Sequence, residues 1–138
     1  MTRRFTSAPR SRLARRGILS MELLMTLPIF GILLFGLLEY SLLFAARGDV
    51  ADACRAGARR GSLPGATQFD VESEVLASLG PRLASNCRVD AELGERTGDV
   101  VTVLVRVPMA AASPDLLWPI GFGLRERDFV CQARMVRE

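Results

Sequence analysis

One apolar segment near the N-terminus constrains this chain of 138 residues more than any other feature. No charged residue occurs between Leu23 and Leu38, and Glu22 and Glu39 are the only charged residues in the wider apolar stretch, residues 18–46. As one helix, that stretch would be about 43 Å long at ~1.5 Å per residue, which exceeds the ~30 Å hydrocarbon core of a bilayer. We therefore predict a transmembrane helix over residues 18–46.

Two other interpretations of this segment fit less well. A buried core helix needs protein around it, but the other ~90 residues would form one small domain with a thin core. A secretory signal peptide has an apolar region of ~7–15 residues, about half the length present here. Its cleavage also needs a small-residue site, and Ala51-Asp52-Ala53 lies well past the apolar end.

Arginine is distributed unevenly around the segment. All eighteen basic residues are arginine, and six of them precede Gly17, where no acid occurs. Without residues 1–17, twelve arginines face fifteen acids, so the remaining net charge is −3. The positive-inside rule places this N-terminus in the cytoplasm and residues from about 47 onward outside. The three cysteines suit an oxidising compartment.

The junction RRGILSMELLM, residues 15–25, joins the basic leader to the apolar segment. Glu22 is the fifth residue after Gly17, an arrangement that resembles the type IV prepilin processing site. The resemblance implies that a membrane-embedded prepilin peptidase cuts after Gly17 and leaves a new α-amino group on Ile18. Glu22 would then neutralise that amine on a neighbouring helix, because an ion in apolar surroundings needs a partner. Alternatively, the Glu22 side chain simply reaches the headgroup region.

A longer stretch, residues 27–61, resembles the start of TadE-like proteins of the tight-adherence (Tad) pilus system. The matching features are Glu22, Leu27-Pro28, the Phe35-Gly36-Leu37-Leu38-Glu39-Tyr40 stretch and the extension Ala56-Gly57-Ala58-Arg59. The tail PDLLWPIGFGL, followed by a strand and ARMVRE, is also similar to the ending of the family. Leu23 stands where the small major pilins of this system carry an aromatic residue, so the resemblance favours a minor pilin or pseudopilin.

The resemblance implies a bacterial inner-membrane protein with one membrane pass, a cytoplasmic N-terminus and a periplasmic C-terminal domain. Its implied partners are the prepilin peptidase, other pilin or pseudopilin subunits, the inner-membrane Tad assembly platform and the lipid bilayer. The alternative is an unprocessed, membrane-anchored binding module of the envelope.

The sequence contains no residue pattern that indicates catalysis. The chain has no histidine, and it contains no nucleophile-elbow, phosphate-loop or Cys-x-x-Cys motif. We therefore predict no enzymatic activity, no metal and no cofactor. The basic leader has no stacking aromatic residue beyond Phe5, which argues against nucleic-acid binding.

Several residues of the helix are candidates for assembly contacts. Glu39 lies about 26 Å beyond Glu22 along a helix, so the two acids mark opposite faces of the bilayer, and Tyr40 suits the aromatic belt. Glu39 is either an interfacial acid or a contact with an arginine of another subunit. Beyond the span, Ala53, Gly57 and Gly61 form a stripe that permits close helix approach, by another subunit or by the domain of the same chain.

The sequence of residues 62–138 predicts a small α+β domain. Thr67 with Asp70 resembles a capping box that opens a second helix after the breaker GSLPG. Residues 87–93, 100–107 and 127–135 alternate apolar and polar side chains, which predicts three half-buried strands, the first two joined by a hairpin.

The predicted fold class is therefore α+β, with a long N-terminal transmembrane helix and amphipathic extension, a second short helix and a three-stranded antiparallel sheet. Its parts are a basic leader (residues 1–17), the transmembrane helix (18–46), a helical stem (47–61) and a small periplasmic domain (62–138). The apolar loop over residues 110–122 either covers the sheet edge or presents a contact patch; we expect the covering role, with Trp118 filling core space.

Three cysteines allow three pairings, each of which leaves one free thiol. Cys87 and Cys131 both lie on apolar strand faces, which favours a disulfide between them over a bond to Cys54. This pairing requires Cα atoms within ~7 Å, and hence neighbouring first and third strands. A simple meander would separate them.

Overall fold

The computed structural model describes residues 12–138, with side chains from Ser20 onward; the first eleven residues of the predicted leader lie outside that range. The elements are α1 (Arg12–Gly61), α2 (Gln68–Ser78), α3 (Pro81–Ala84), β1 (Arg88–Glu92), β2 (Val100–Pro108), α4 (Met109–Ala112), a 3-10 turn (Trp118–Ile120) and β3 (Asp128–Val136). They confirm the predicted fold class. Two compact units divide the chain, the first ending at Leu34 and the second running from Phe35 to Glu138.

The first unit consists of the N-terminal part of α1. Among the described residues, α1 is the one helix that is long and apolar enough to cross a membrane, and none of its most apolar window is buried. Large side chains such as Leu24, Phe30 and Leu33 are exposed. A helix that is apolar on all sides is unstable in water and suits a lipid environment. Pro28 lies inside the helix without ending it.

The second unit is built on an antiparallel meander in the order β1-β2-β3. Alternate residues of the central strand, Val101 to Val107, are fully buried on one face of the sheet. The stem of α1 and the residues Val71 and Val75 of α2 complete the core. Because strand side chains alternate between faces, this one face supplies the sheet's contribution to the core.

The capping box predicted for α2 is confirmed. Thr67 Oγ1 accepts a hydrogen bond from the Asp70 N–H at 3.3 Å, and Asp70 Oδ2 accepts one from the Thr67 N–H at 2.9 Å. The Thr67 hydroxyl also donates to Asp70 Oδ2, at 2.8 Å. The two hydrogen bonds that Thr67 donates to this carboxylate lower the pKa of Asp70, because they stabilise its charged form. The box starts α2 in the direction that brings Val71 and Val75 over the stem.

The strand order does not meet the condition for the predicted Cys87–Cys131 disulfide. β2 lies between the other two strands, and strands two places apart are separated by ~10 Å, which is beyond the ~7 Å limit for Cα atoms of a disulfide. All three cysteines of the chain are free thiols in this structure. Cys54 Sγ instead lies on the sheet, 3.4 Å from the Val103 carbonyl oxygen and 3.5 Å from that of Cys131.

The buried thiol of Cys54 makes stability depend on pH. Burial, followed by the neighbouring Cys131, raises the pKa of Cys54 from 9.0 to about 12. The folded chain therefore keeps a proton that the unfolded chain releases above pH ~9, so unfolding becomes easier as the pH rises from ~9 towards 12. We expect the free energy of unfolding, measured for the full chain in detergent micelles, to fall more steeply in that range for wild type than for Cys54→Ala. Parallel curves would contradict the burial of this thiol.

Candidate functional site

Glu39 is buried in the second unit, with 3% of its surface exposed. Each of its carboxylate oxygens accepts one hydrogen bond. The Ser113 hydroxyl donates to Oε1 at 3.3 Å, and the Leu117 backbone N–H donates to Oε2 at 3.2 Å. Both donors follow α4 in the chain, so Glu39 attaches α1 to the segment that we call the docking loop, residues 113–124.

Gly36 completes this attachment. It precedes Glu39 by three residues and so lies on the same helix face. A Cβ atom at Gly36 would lie 3.7 Å from Leu117 Cδ1, which places the Leu117 side chain directly over this glycine. The Phe-Gly-x-x-Glu spacing thus brings a small residue and an acceptor together under one loop residue. The Leu117 side chain covers Gly36, and the Leu117 N–H donates to the Glu39 carboxylate.

Asp115 closes the docking loop on itself. Its φ of 56° lies in the left-handed region, which aspartate tolerates better than most residues. Its Oδ1 accepts a hydrogen bond from the Leu124 N–H at 3.2 Å, and Arg125 Nε lies 3.9 Å from Oδ2. The polar groups of the loop are therefore used for its own closure and for attachment to α1.

Three large apolar side chains of the docking loop are exposed. Trp118 is 65% exposed, Ile120 50% and Phe122 64%; we call these three residues the loop patch. The expectation that Trp118 fills core space is wrong. The core face of the sheet is already covered by α1 and α2, and the loop is held on α1 by Glu39 instead.

The other predicted contact residues of α1 divide into exposed and buried sets. Tyr40 is exposed, and its ring stacks on Phe44 with centroids 6.4 Å apart. Ala53, Gly57 and Gly61 are buried. A Cβ atom at Gly57 would lie 2.5 Å from Val75 Cγ2, and one at Gly61 would lie 3.0 Å from both Leu93 and Val101. Within one chain, the small-residue stripe therefore packs against its own domain.

The predicted processing residues lie in the first unit. Gly17 and Ile18 belong to α1, which already begins at Arg12; their side chains are outside the described set. Leucine, alanine and arginine before Gly17 are good helix formers, which explains why the helix begins ahead of the glycine. Glu22 is exposed in the single chain. Its carboxylate is thus accessible to a group on another molecule.

Sequence reasoning missed Ser113 and Leu117 as partners of Glu39. A backbone N–H has no sequence signature, and a lone serine in an apolar loop carries little signal. The one sequence feature that drew attention to this region was the tail PDLLWPIGFGL, which resembles the ending of the family and contains Leu117. Among residues 12–138, no group of three or more His, Cys, Asp or Glu side chains is placed to hold a metal ion.

The sequence model of the TadE-like protein family matches residues 17–59. The match begins at the predicted cleavage glycine, includes both acids of the apolar segment and ends in the stem of α1. No curated protein and no solved structure shows a significant match to the chain. The family match confirms the TadE-like resemblance predicted from the sequence and indicates a protein associated with the Tad pilus.

Proposed function

We propose that this chain is a TadE-like minor pilin or pseudopilin of a Tad-type adhesive pilus, anchored in the inner membrane by α1 and cut after Gly17 by a prepilin peptidase. The observation that carries the proposal is the family match over residues 17–59, which begins at the proposed cleavage glycine and covers the whole apolar segment. The chain would act structurally, through contacts with other pilin or pseudopilin subunits and with the inner-membrane Tad platform.

The first unit supports this role. Over residues 18–34 its helix carries one charged residue, Glu22, and large exposed apolar side chains. Such a surface suits packing among similar helices in a membrane or a filament. In that setting an exposed Glu22 carboxylate would meet the α-amino group of a processed neighbour, and each charge would lower the desolvation cost of the other.

The charge distribution supports one orientation. Six arginines precede Gly17 and none lies between Gly17 and Arg47. In the proposed topology the leader is cytoplasmic and the domain over residues 62–138 is periplasmic. A reporter enzyme that is active only outside the cytoplasm, fused after Glu138, should be active.

The N-terminal residue of the mature protein in its native host tests the proposal. We expect Ile18, and we expect Gly17→Val to retain the leader. Glu22→Ala should be processed but should give few or no pili, because the buried amine then lacks its partner. The matched control is Glu74→Ala, which removes an exposed acid of α2 and should assemble normally.

Other outcomes separate the alternatives. A mature chain that starts at Met1 or Thr2 in the membrane would contradict processing and support an unprocessed envelope binding module. A start near Cys54 would indicate cleavage of an ordinary signal peptide. Normal pili from Glu22→Ala would disprove charge pairing while leaving the family assignment intact.

A further inference from the structure

We propose that the loop patch, Trp118, Ile120 and Phe122, inserts into the interfacial region of the membrane, in the leaflet where Glu39 lies. The docking loop would thus be a second membrane contact, which holds the domain of the second unit against the bilayer surface. This inference goes beyond the pilus role, but it rests on the proposal that α1 spans the membrane.

The docking loop is attached to α1 within the apolar segment. It contacts α1 at Gly36 and Glu39, and both residues belong to the apolar stretch of residues 18–46. Glu39 is the first charged residue after the charge-free run of residues 23–38, and an ionisable side chain is costly inside the hydrocarbon core. Glu39 therefore falls at one boundary of the hydrocarbon core, and the loop is fixed at that boundary.

The docking loop presents an exposed apolar surface. All three side chains of the patch are at least half exposed, and no described element covers them. At the same level of α1, Tyr40 and Phe44 are also exposed. Tryptophan and tyrosine favour the membrane–water interface, because they combine a large apolar ring with one polar group. Both sets of side chains thus have the composition of a membrane interface, and the docking loop is attached to α1 at Glu39, next to Tyr40.

The charges beside the loop patch indicate whether it would prefer anionic or zwitterionic lipid headgroups. An open cavity of about 450 Å³ beside Trp118 is lined by Arg125 and Arg127, but also by Asp115 and Glu126. These charges balance, so no excess of positive charge is present to select anionic headgroups. We therefore expect contact with a zwitterionic bilayer, held by apolar burial. A second copy of this chain is the rival occupant of the patch.

Trp118 is the only tryptophan of the chain, so its fluorescence reports on the patch directly. The full chain is reconstituted in phosphatidylcholine vesicles whose acyl chains carry bromine either near the ester group or near the terminal methyl. We expect blue-shifted emission, with strong quenching by the shallow bromines and weak quenching by the deep ones. Addition of phosphatidylglycerol should leave the quenching unchanged.

Two double variants serve as controls. Trp118→Phe with Phe69→Trp moves the probe to an exposed aromatic position on α2, which packs at the Gly57 end of the stem, and should remove lipid quenching. Trp118→Phe with Phe30→Trp moves it into the middle of the apolar segment and should give strong quenching by the deep bromines.

The controls separate the failure of this inference from the failure of the proposed function. If the Phe30→Trp probe is quenched and Trp118 is not, the membrane anchor stands and the patch does not insert. If the emission of Trp118 shifts only when the protein becomes concentrated in the vesicles, a second copy covers the patch and the inference is wrong. If neither probe is quenched, α1 does not span the membrane and the proposed function fails with it.

Discussion

Replacement of Gly57 by leucine should unfold the second unit, whereas the same replacement at Gly48 should leave it folded. A Cβ atom at Gly57 would lie 2.5 Å from Val75 Cγ2 and 3.4 Å from Val71 Cγ1. Both valines are fully buried, and their branched side chains have little rotamer freedom. Overpacking of a core commonly costs ~1–3 kcal/mol. A leucine adds three more carbon atoms at this point, so we expect a loss of at least ~3 kcal/mol from a total of ~5–15 kcal/mol.

Gly48 is the matched control because it lies in the same helix with no atom near its Cβ position. Leucine there should stabilise the helix by up to ~1 kcal/mol, since glycine is a poor helix former. Pulse proteolysis of the full chain in detergent micelles, over a series of urea concentrations, compares the two variants. Equal resistance of Gly57→Leu and Gly48→Leu would contradict the packing of α2 on the stem.

The expected unfolding of Gly57→Leu limits what this variant can show about contacts between subunits. If Gly57→Leu lost its pilus partners, the loss would not identify the small-residue stripe as a subunit contact, because the variant would no longer carry a folded domain. A contact of the stripe with another subunit would require the chain's own domain to give up the same surface.

Glu39→Leu should release the docking loop from α1. The substitution removes both acceptors and leaves the Ser113 hydroxyl and the Leu117 N–H without their partner, at ~1–3 kcal/mol for each buried group left unpaired. Hydrogen exchange at the Leu117 amide, measured in detergent micelles, should become faster by two or more orders of magnitude. Glu39→Gln keeps one carbonyl oxygen and should fall between wild type and Glu39→Leu.

Asp49→Leu provides the control, because it removes an exposed acid from the same helix. Exchange at Leu117 should stay at the wild-type rate in this variant. If Glu39→Leu also left that rate unchanged, the loop would be held by the Leu117–Gly36 contact and not by the carboxylate. Proteolysis within residues 113–124 gives a second readout of the same release.

The sequence by itself determined those parts of the protein that depend on local patterns. The long helix follows from the length of the apolar run, α2 from the pairing of Thr67 with Asp70, and the three strands from alternation with a period of two. The family resemblance was readable for the same reason, since its N-terminal features lie within the single stretch of residues 17–59 that the family model matches.

Only the tertiary structure decided which distant residues meet. Glu39 and Leu117 are 78 positions apart, and Cys54 reaches Cys131 across 77. The strand order placed β2 between Cys87 and Cys131, and the coverage of the sheet by α1 and α2 left Trp118 exposed. Local patterns indicate which side chains will be buried, but the residues that they pack against depend on how the helices and strands are arranged. For Glu39 that partner is a backbone N–H, a group that every residue except proline carries.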